Sequence, residues 1–381
     1  MEHEVKIVIG ANYGDEGKGL MSRFFAKQFL DNGQRPVTVF HNGTAQRGHT
    51  ADYENGTSHV FHNFCAGARE GGITYYADSF LVHPMDFCRE VLELGYVPFV
   101  ACDPGCVVVT PLDMLADHII EDHIAVQTGT REYGSCCYGS WSATDRIRER
   151  PDLAYTVSDL MTADYGKFML SMMDWVKYRL ASFKVNMELL PSWKEHLDTN
   201  STVYANTCSH FCDDLSFFLS HIRMTKFDGI WKLSKAIIFE GAQGLLLDKD
   251  RDSIWTTTSN TGLKNPHRIL SDYDDFRAEV CYVTRSYVTR HGDGPLENEV
   301  ERHEIGEDVE DRTNVFNQFQ GKLRYAILPK ANTLEIEKDF SVADNNRFFP
   351  TLAVTHCNEY SRDGGDYRSY SPTQVIKKGK G

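Results

Sequence analysis

Near its start the chain runs a short apolar, β-branched segment, Val5–Gly10, into a glycine-rich turn, Ala11–Gly19. A helical pattern follows over Leu20–Leu30, with apolar residues at Leu20, Phe24, Phe25 and Phe29. This order of strand, glycine loop and helix constrains the fold more than any other feature. It is the setting in which backbone N–H groups and a helix N-terminus converge on an anion. Lys18, at the helix start, adds a positive charge. The spacing departs from the common phosphate loop: six residues rather than four separate Gly10 from Gly17, and Gly19 stands where Ser or Thr is usual. Asp15 and Glu16 are unexpected beside phosphate, because like charges repel unless a metal or proton lies between them. Mg2+ between Asp15 and the phosphates resolves the conflict, and a carboxylate here can also take a proton from a nucleophile.

A second strand, Pro36–Phe40, follows at βαβ distance, with Gly33 as the helix stop. The pattern predicts an α/β fold, phosphate-loop-like, with a mainly parallel central sheet flanked by helices. Further strands are predicted at Phe80–Val82, Val97–Ala101, Cys106–Val109, Ala236–Phe239, Val280–Val288 and Thr351–Val354, and a helix at Pro111–His123. From Asp152 to about Leu190 the chain is helical in pattern and rich in Met and aromatic residues, which read as core. We expect one domain over residues 1–381 with a helical insertion at about 151–235.

The net charge of -14 argues against wrapping nucleic acid, which needs a basic surface. The ten cysteines show no zinc spacing and read as reduced thiols of an intracellular protein. The start does not read as a signal peptide, and no apolar run approaches the roughly 20 residues of a membrane span. A soluble, cytoplasmic protein is expected.

Gly14-Asp-Glu-Gly-Lys-Gly19 matches outright the GDEGKG loop of the adenylosuccinate synthetase family, and five further segments resemble that family in chain order. These are Gly43–Thr50 (its GGHNAGHT loop), Phe239–Asp248 (FEGAQGxLLD), Thr257–Thr261 (TSSNTT), Tyr287–Pro295 (YxTRVGxGP) and Ser369–Thr373, similar to the base loop of archaeal-like members. The resemblance spans about residues 5–375.

That resemblance implies a carbon–nitrogen ligase joining L-aspartate to C6 of a 6-oxopurine monophosphate, IMP, with cleavage of NTP. O6 is a poor leaving group until it is phosphorylated. An Asp removes the N1 proton while O6 attacks the γ-phosphate, and the amine of aspartate then displaces phosphate. Asp15 is thereby implied as general base and Mg2+ ligand, with the carbonyl of Gly48 also on Mg2+. His49 is implied as the acid that stabilises charge on O6 and the phosphoryl group. Lys18 and the amides of Gly17 and Gly19 hold phosphates, and Gln243 contacts the purine or phosphoryl region. Gly14, Glu16, Thr50, His356, Asn358, Ser371 and Pro372 complete the implied NTP site. Asn12, Gln46, Thr128, Gly129 and Thr258 join Asp15 and Gln243 at the monophosphate. Arg146 or Arg148 resembles the arginine that crosses a homodimer to the partner's site.

Three departures matter. The aspartate loop reads Thr313-Asn314 through Gly321-Lys322-Leu-Arg324, and Lys322 stands where Arg is usual, which weakens bidentate carboxylate binding. The guanine-reading segment ends in Asn358 rather than Asp, so preference for GTP over ATP is expected to weaken. Thr128-Gly-Thr-Arg131 through Gly134 replaces a shorter loop near the monophosphate. These point to an alternative acceptor, dGMP, as in the phage-associated branch that supports 2-aminoadenine synthesis. That branch commonly carries Ser in place of the base Asp, whereas Asp15 is retained. Outside ligases, the alternatives are a plain P-loop NTPase or a nucleotide-binding regulator.

Overall fold

The computed structural model describes residues 2–378 except 130–135, 307–308, 310–321, 329–331, 344–345 and 361–363. Ten strands form the main sheet. From one edge they run Gln374–Lys377, Tyr367–Ser371, Phe348–Thr355, Phe276–Arg285, His3–Gly10, Ala236–Gly244, Val37–Phe40, Ile73–Tyr76, Val100–Cys102 and Ile222–Met224. All neighbours pair parallel except the terminal hairpin, Tyr367–Ser371 with Gln374–Lys377. The predicted fold class is the observed one.

Alternation along the central strands divides two cores. Val5, Ile7 and Ile9 pack with Val37, Val39, Phe239, Val280 and Tyr282 beneath Ile230, Trp231 and Leu270. Val8, Cys281 and Val283 face the opposite way, onto Met21, Phe25 and Phe29 of helix Lys18–Asp31. Gly10 pairs with both Gly244 and Val283, so three strands end side by side. Parallel sheets gather ligands at the carboxyl ends of their strands.

A third core lies in the helices. Trp175, Met172 and Met173 of helix Tyr165–Ser182 are buried against Pro111–Thr128 and Thr202–His221. The predicted continuous helix after Asp152 is broken: short turns at Pro151–Leu153 and Val157–Leu160 precede it. Nor are residues 151–235 purely helical, since Ile222–Met224 joins the sheet edge. The strands expected at Phe80–Val82 and Cys106–Val109 reduce to isolated bridges, Val82 with Val108 and Val107 with Thr156. Each segment runs at once into a helix opened by proline, Pro84 after His83 and Pro111 after Thr110, and the caps take up the backbone groups. The strand expected over Val280–Val288 ends at Arg285 and resumes as Val288–Arg290 in a separate three-stranded sheet.

Candidate active site

The glycine loop is held from within. Glu16 is 3 % exposed, and its carboxylate accepts from the backbone N–H of Asn12 (3.1 Å) and Gly14 (2.7 Å) and from Lys18 Nζ (3.3 Å). Lys18 Nζ also donates to the Gly14 carbonyl at 2.5 Å. The two acids therefore have opposite fates. Glu16, expected at the triphosphate, is a brace for its own loop, whereas Asp15 keeps a side chain about 25 % exposed with His291 Nε2 at 3.9 Å. Gly14 and Gly17 adopt positive φ, 115° and 92°, the latter just before helix Lys18–Asp31. Gly19 replaces the usual hydroxyl residue for a steric reason: a Cβ there would stand 2.8 Å from the Thr50 carbonyl and 3.0 Å from His49 Cβ.

That close approach brings strand His49–Asp52 against the helix start. His49 is 5 % exposed, and its Nδ1 lies 2.5 Å from Glu240 Oε1, on the strand next to the first one. Burial opposes charge on Glu240, but His49 and Arg47 outweigh it and hold the carboxyl below the usual range. Burial wins at His49 and lowers its proton affinity against the pull of Glu240. Arg47 is anchored behind the pair, donating to the Glu240 carbonyl (3.1 Å) and the Asn42 carbonyl (2.6 Å) and lying 3.9 Å from the Phe40 ring. Two residues after Ala242's neighbour Gly241, Gln243 takes a left-handed φ of 62°, a conformation that carries strain for a non-glycine residue. A Cβ on Gly14 would meet its Cα at 3.2 Å and its Oε1 at 3.3 Å.

The strand ends on the other side supply Thr284, Arg285 and Thr355. Asn12 is buried, and its amide donates to Thr284 Oγ1 (3.0 Å), so this predicted monophosphate contact faces into the sheet end. Thr355 Oγ1 donates to the Glu16 carbonyl (2.7 Å), which sets the segment expected to read the base beside the loop. There His356 has φ 58° and Asn358 is exposed, and Ser371 and Pro372 form the nearby hairpin turn.

The remaining expectations separate. Thr258 lies 3.3 Å from Thr144 Oγ1. Gln46 lies close to Cys136. Thr50 lies within the His49 strand, and Gly48, just before it, is exposed. Thr128 and Gly129 are exposed at the end of helix Pro111–Thr128. Arg146 is not available to a partner subunit: it is wholly buried, and its guanidinium donates to Asp113 (3.2 and 2.9 Å), Leu153 O (2.6 Å) and Val108 O (2.8 Å). Arg148 is the exposed one of the two, its side chain 68 % accessible. Lys322 is exposed. Arg324 closes its fork on Glu299 (2.8 and 2.5 Å) and donates to the Gly292 (3.1 Å) and Gly294 (2.8 Å) carbonyls. Thr313, Asn314 and Gly321 lie outside the described residues. Sequence reasoning assigned no role to Glu240, Arg285, His291 or Arg290, whose guanidinium lies 4.6 Å from the Tyr13 ring. Glu240, Arg290 and His291 sit in motifs that were noted, and Arg285 lies in the strand expected over Val280–Val288; His291 stands where the resembling pattern has Val.

A family model described as adenylosuccinate synthetase matches residues 7–327. Adenylosuccinate synthetase of Psychrobacter cryohalolentis is 25 % identical over 313 residues, covering 77 % of this chain and 65 % of its own length. That of Oceanobacillus iheyensis is 26 % identical over 327 residues, covering 84 % and 70 %. The chain thus spans about two thirds of the length of these curated relatives. Among solved structures, fully ligated adenylosuccinate synthetase from Plasmodium falciparum superposes with a TM-score of 0.70 at 17 % identity, covering 93 % of this chain and 77 % of that one. The cyanophage S-2L succinoaminodeoxyadenylate synthetase, bound to dGMP and dATP, superposes with a TM-score of 0.62 at 13 % identity, covering 99 % and 96 %. Among the described residues, no helix is long and apolar enough to cross a membrane.

Proposed function

The chain belongs to the adenylosuccinate synthetase family, and on that premise we propose that it joins L-aspartate to C6 of a 6-oxopurine monophosphate, IMP, at the expense of NTP. The observation that carries this is the close packing of the glycine loop between Gln243 and the His49 strand: a Cβ added at Gly14 would meet Gln243 Cα at 3.2 Å, and one added at Gly19 would meet His49 Cβ at 3.0 Å. The loop that carries Asp15 and Lys18 and the separate strand that carries His49 are thereby gathered at one set of strand ends.

Asp15, the partly exposed acid, takes the N1 proton as O6 attacks the γ-phosphorus; the bond to the departing NDP breaks. Lys18 leaves its internal contacts to meet the phosphates beside the amides of Gly17 and Gly19. His49 becomes an acid as anionic phosphate arrives, because added negative charge raises the proton affinity that burial had lowered. Glu240 keeps the ring oriented throughout. The amine of aspartate then forms the N–C6 bond and phosphate leaves.

The donor set fits Mg2+. No group of three or more His, Cys, Asp or Glu side chains among the described residues could hold a metal, and Mg2+ is ordinarily held by one or two carboxylates together with substrate phosphates. Asp15 and the Gly48 carbonyl would hold it, and bound there it would neutralise charge on the transferring phosphoryl group. Aspartate would meet Lys322 and Arg324 once Arg324 is released from Glu299. The protein acts in the cytoplasm as a homodimer, with Arg148 reaching the partner's site.

A second acceptor, dGMP with ATP as donor, is favoured by His291, which places a polar ring beside Asp15 where the family pattern has an apolar residue. Exposed Asn358 supports ATP as donor. The deciding experiment is phosphate release from purified protein with IMP, GMP, dGMP or dIMP against ATP, dATP or GTP. Release that requires both acceptor and aspartate is expected. Release independent of aspartate identifies a plain NTPase, and none at all a binding regulator.

A further inference from the structure

We infer that Arg285 and Thr355 are positioning residues that set the peptide planes of the phosphate loop, and that through them the turn reading the donor's base is joined to Asp15. The proposed reaction supplies the identity of the nucleotides; the geometry stands apart from it.

A trans peptide unit is planar, so its carbonyl and the following N–H point in opposite directions. Arg285 Nε donates to the Asp15 carbonyl at 2.5 Å, and Thr355 Oγ1 donates to the Glu16 carbonyl at 2.7 Å. These bonds fix two successive peptide planes. The N–H groups of Glu16 and Gly17 are thereby turned away from the strand ends that hold the carbonyls. The fit is close, because a Cβ on Gly17 would meet Thr355 Cγ2 at 3.1 Å. Glu16's own carboxylate already occupies the amides of Asn12 and Gly14. Among the amides that remain for an anion, those of Glu16 and Gly17 are the ones whose direction Arg285 and Thr355 decide.

The same residues lead to the turn at 356–359. Arg285, 6 % exposed, donates from Nη1 to Tyr287 Oη (3.2 Å), and the Tyr287 hydroxyl donates to Glu359 Oε2. The Glu359 N–H and Ser286 Oγ both donate to the His356 carbonyl, at 3.1 and 2.8 Å. Thr355 is the residue before that turn. A base seated at His356 and Asn358 thus bears on the backbone of Asp15 by an unbroken set of hydrogen bonds.

The test is nucleotide binding and turnover in four variants. Thr355→Val removes the donor and leaves a buried carbonyl without one. It is expected to weaken ATP and GTP binding about tenfold while acceptor affinity stays within about threefold. Thr355→Ser, which keeps a hydroxyl, is expected to restore NTP affinity. Arg285→Gln should lower kcat by about tenfold to a hundredfold with acceptor affinity kept, as displacement of a reacting group does. Tyr287→Phe retains the Arg285–Asp15 bond but cuts the link to Glu359, and should narrow the binding preference for ATP over inorganic tripolyphosphate. Unchanged NTP affinity in Thr355→Val overturns the inference. So does a loss shared equally by both nucleotides and the melting temperature, or a Thr355→Ser variant no better than Thr355→Val. If wild-type protein binds NTP but never releases phosphate with acceptor and aspartate, the ligase proposal falls, and the NTP affinities still judge Arg285 and Thr355.

Discussion

The phosphate loop and the segment expected to hold aspartate are built on opposite principles. Around the loop, nearly every polar group is buried and committed: Glu16 inside the loop, Asn12 on Thr284, Thr355 on the Glu16 carbonyl, His49 on Glu240. Around Arg324 the groups are half exposed and paired with a surface carboxylate, Glu299, whose side chain is 43 % accessible. Surface pairs of that kind contribute little and exchange readily, whereas buried networks rigidify what they hold. The contrast suggests that phosphoryl chemistry rests on a rigid frame and that choice of substrate rests on groups that must rearrange.

The strongest way to break this contrast is at Asp15. Asp15→Asn is expected to lower kcat by on the order of 10⁴ with nucleotide affinities largely kept; near-normal turnover would remove Asp15 as the base. His49→Ala should cost on the order of 10² to 10³ in kcat for every acceptor alike, and a loss below about tenfold would place His49 outside the chemistry. On the exposed side the effects should be smaller and selective. Asn358→Asp should move the ATP-to-GTP ratio of kcat/KM toward GTP by about tenfold, as one charge-assisted hydrogen bond would; an unchanged ratio would put base reading elsewhere. The smallest effect concerns pH. His41, at the end of strand Val37–Phe40, is buried, and burial with the nearby Arg47 and Arg268 charges pushes its pKa down to about 3. A depressed folded-state value means this contribution to stability is whole above the ordinary histidine value and is lost as pH falls from about 6.5 toward 3. The melting temperature of wild type relative to His41→Phe should therefore decline over that window, and a constant difference would clear His41.

The loop's place between strand and helix, and the parallel sheet, were legible because glycine spacing and apolar period are local properties. Asp15 and Glu16 could not be told apart on that basis. They are adjacent, alike in charge and both within three residues of Lys18, and only the turn of the chain sends one carboxylate into the loop's amides and leaves the other partly exposed. Arg146 and Arg148 pose the same problem two residues apart on one helix. Side chains at that spacing do not share a face, and Asp113, from a different helix, claims Arg146 alone.

By itself, then, the order of residues determined that a strand, a glycine turn and a helix would follow one another, with one lysine at the helix start. It also carried the segments that must meet there. Only the tertiary structure decided which charged groups became part of the frame, namely Glu16, Arg146, Arg285 and Glu240. The reason is physical: burial and partnership of a charge depend on neighbours far away in the chain, 270 positions between Arg285 and Asp15, and no local period encodes them.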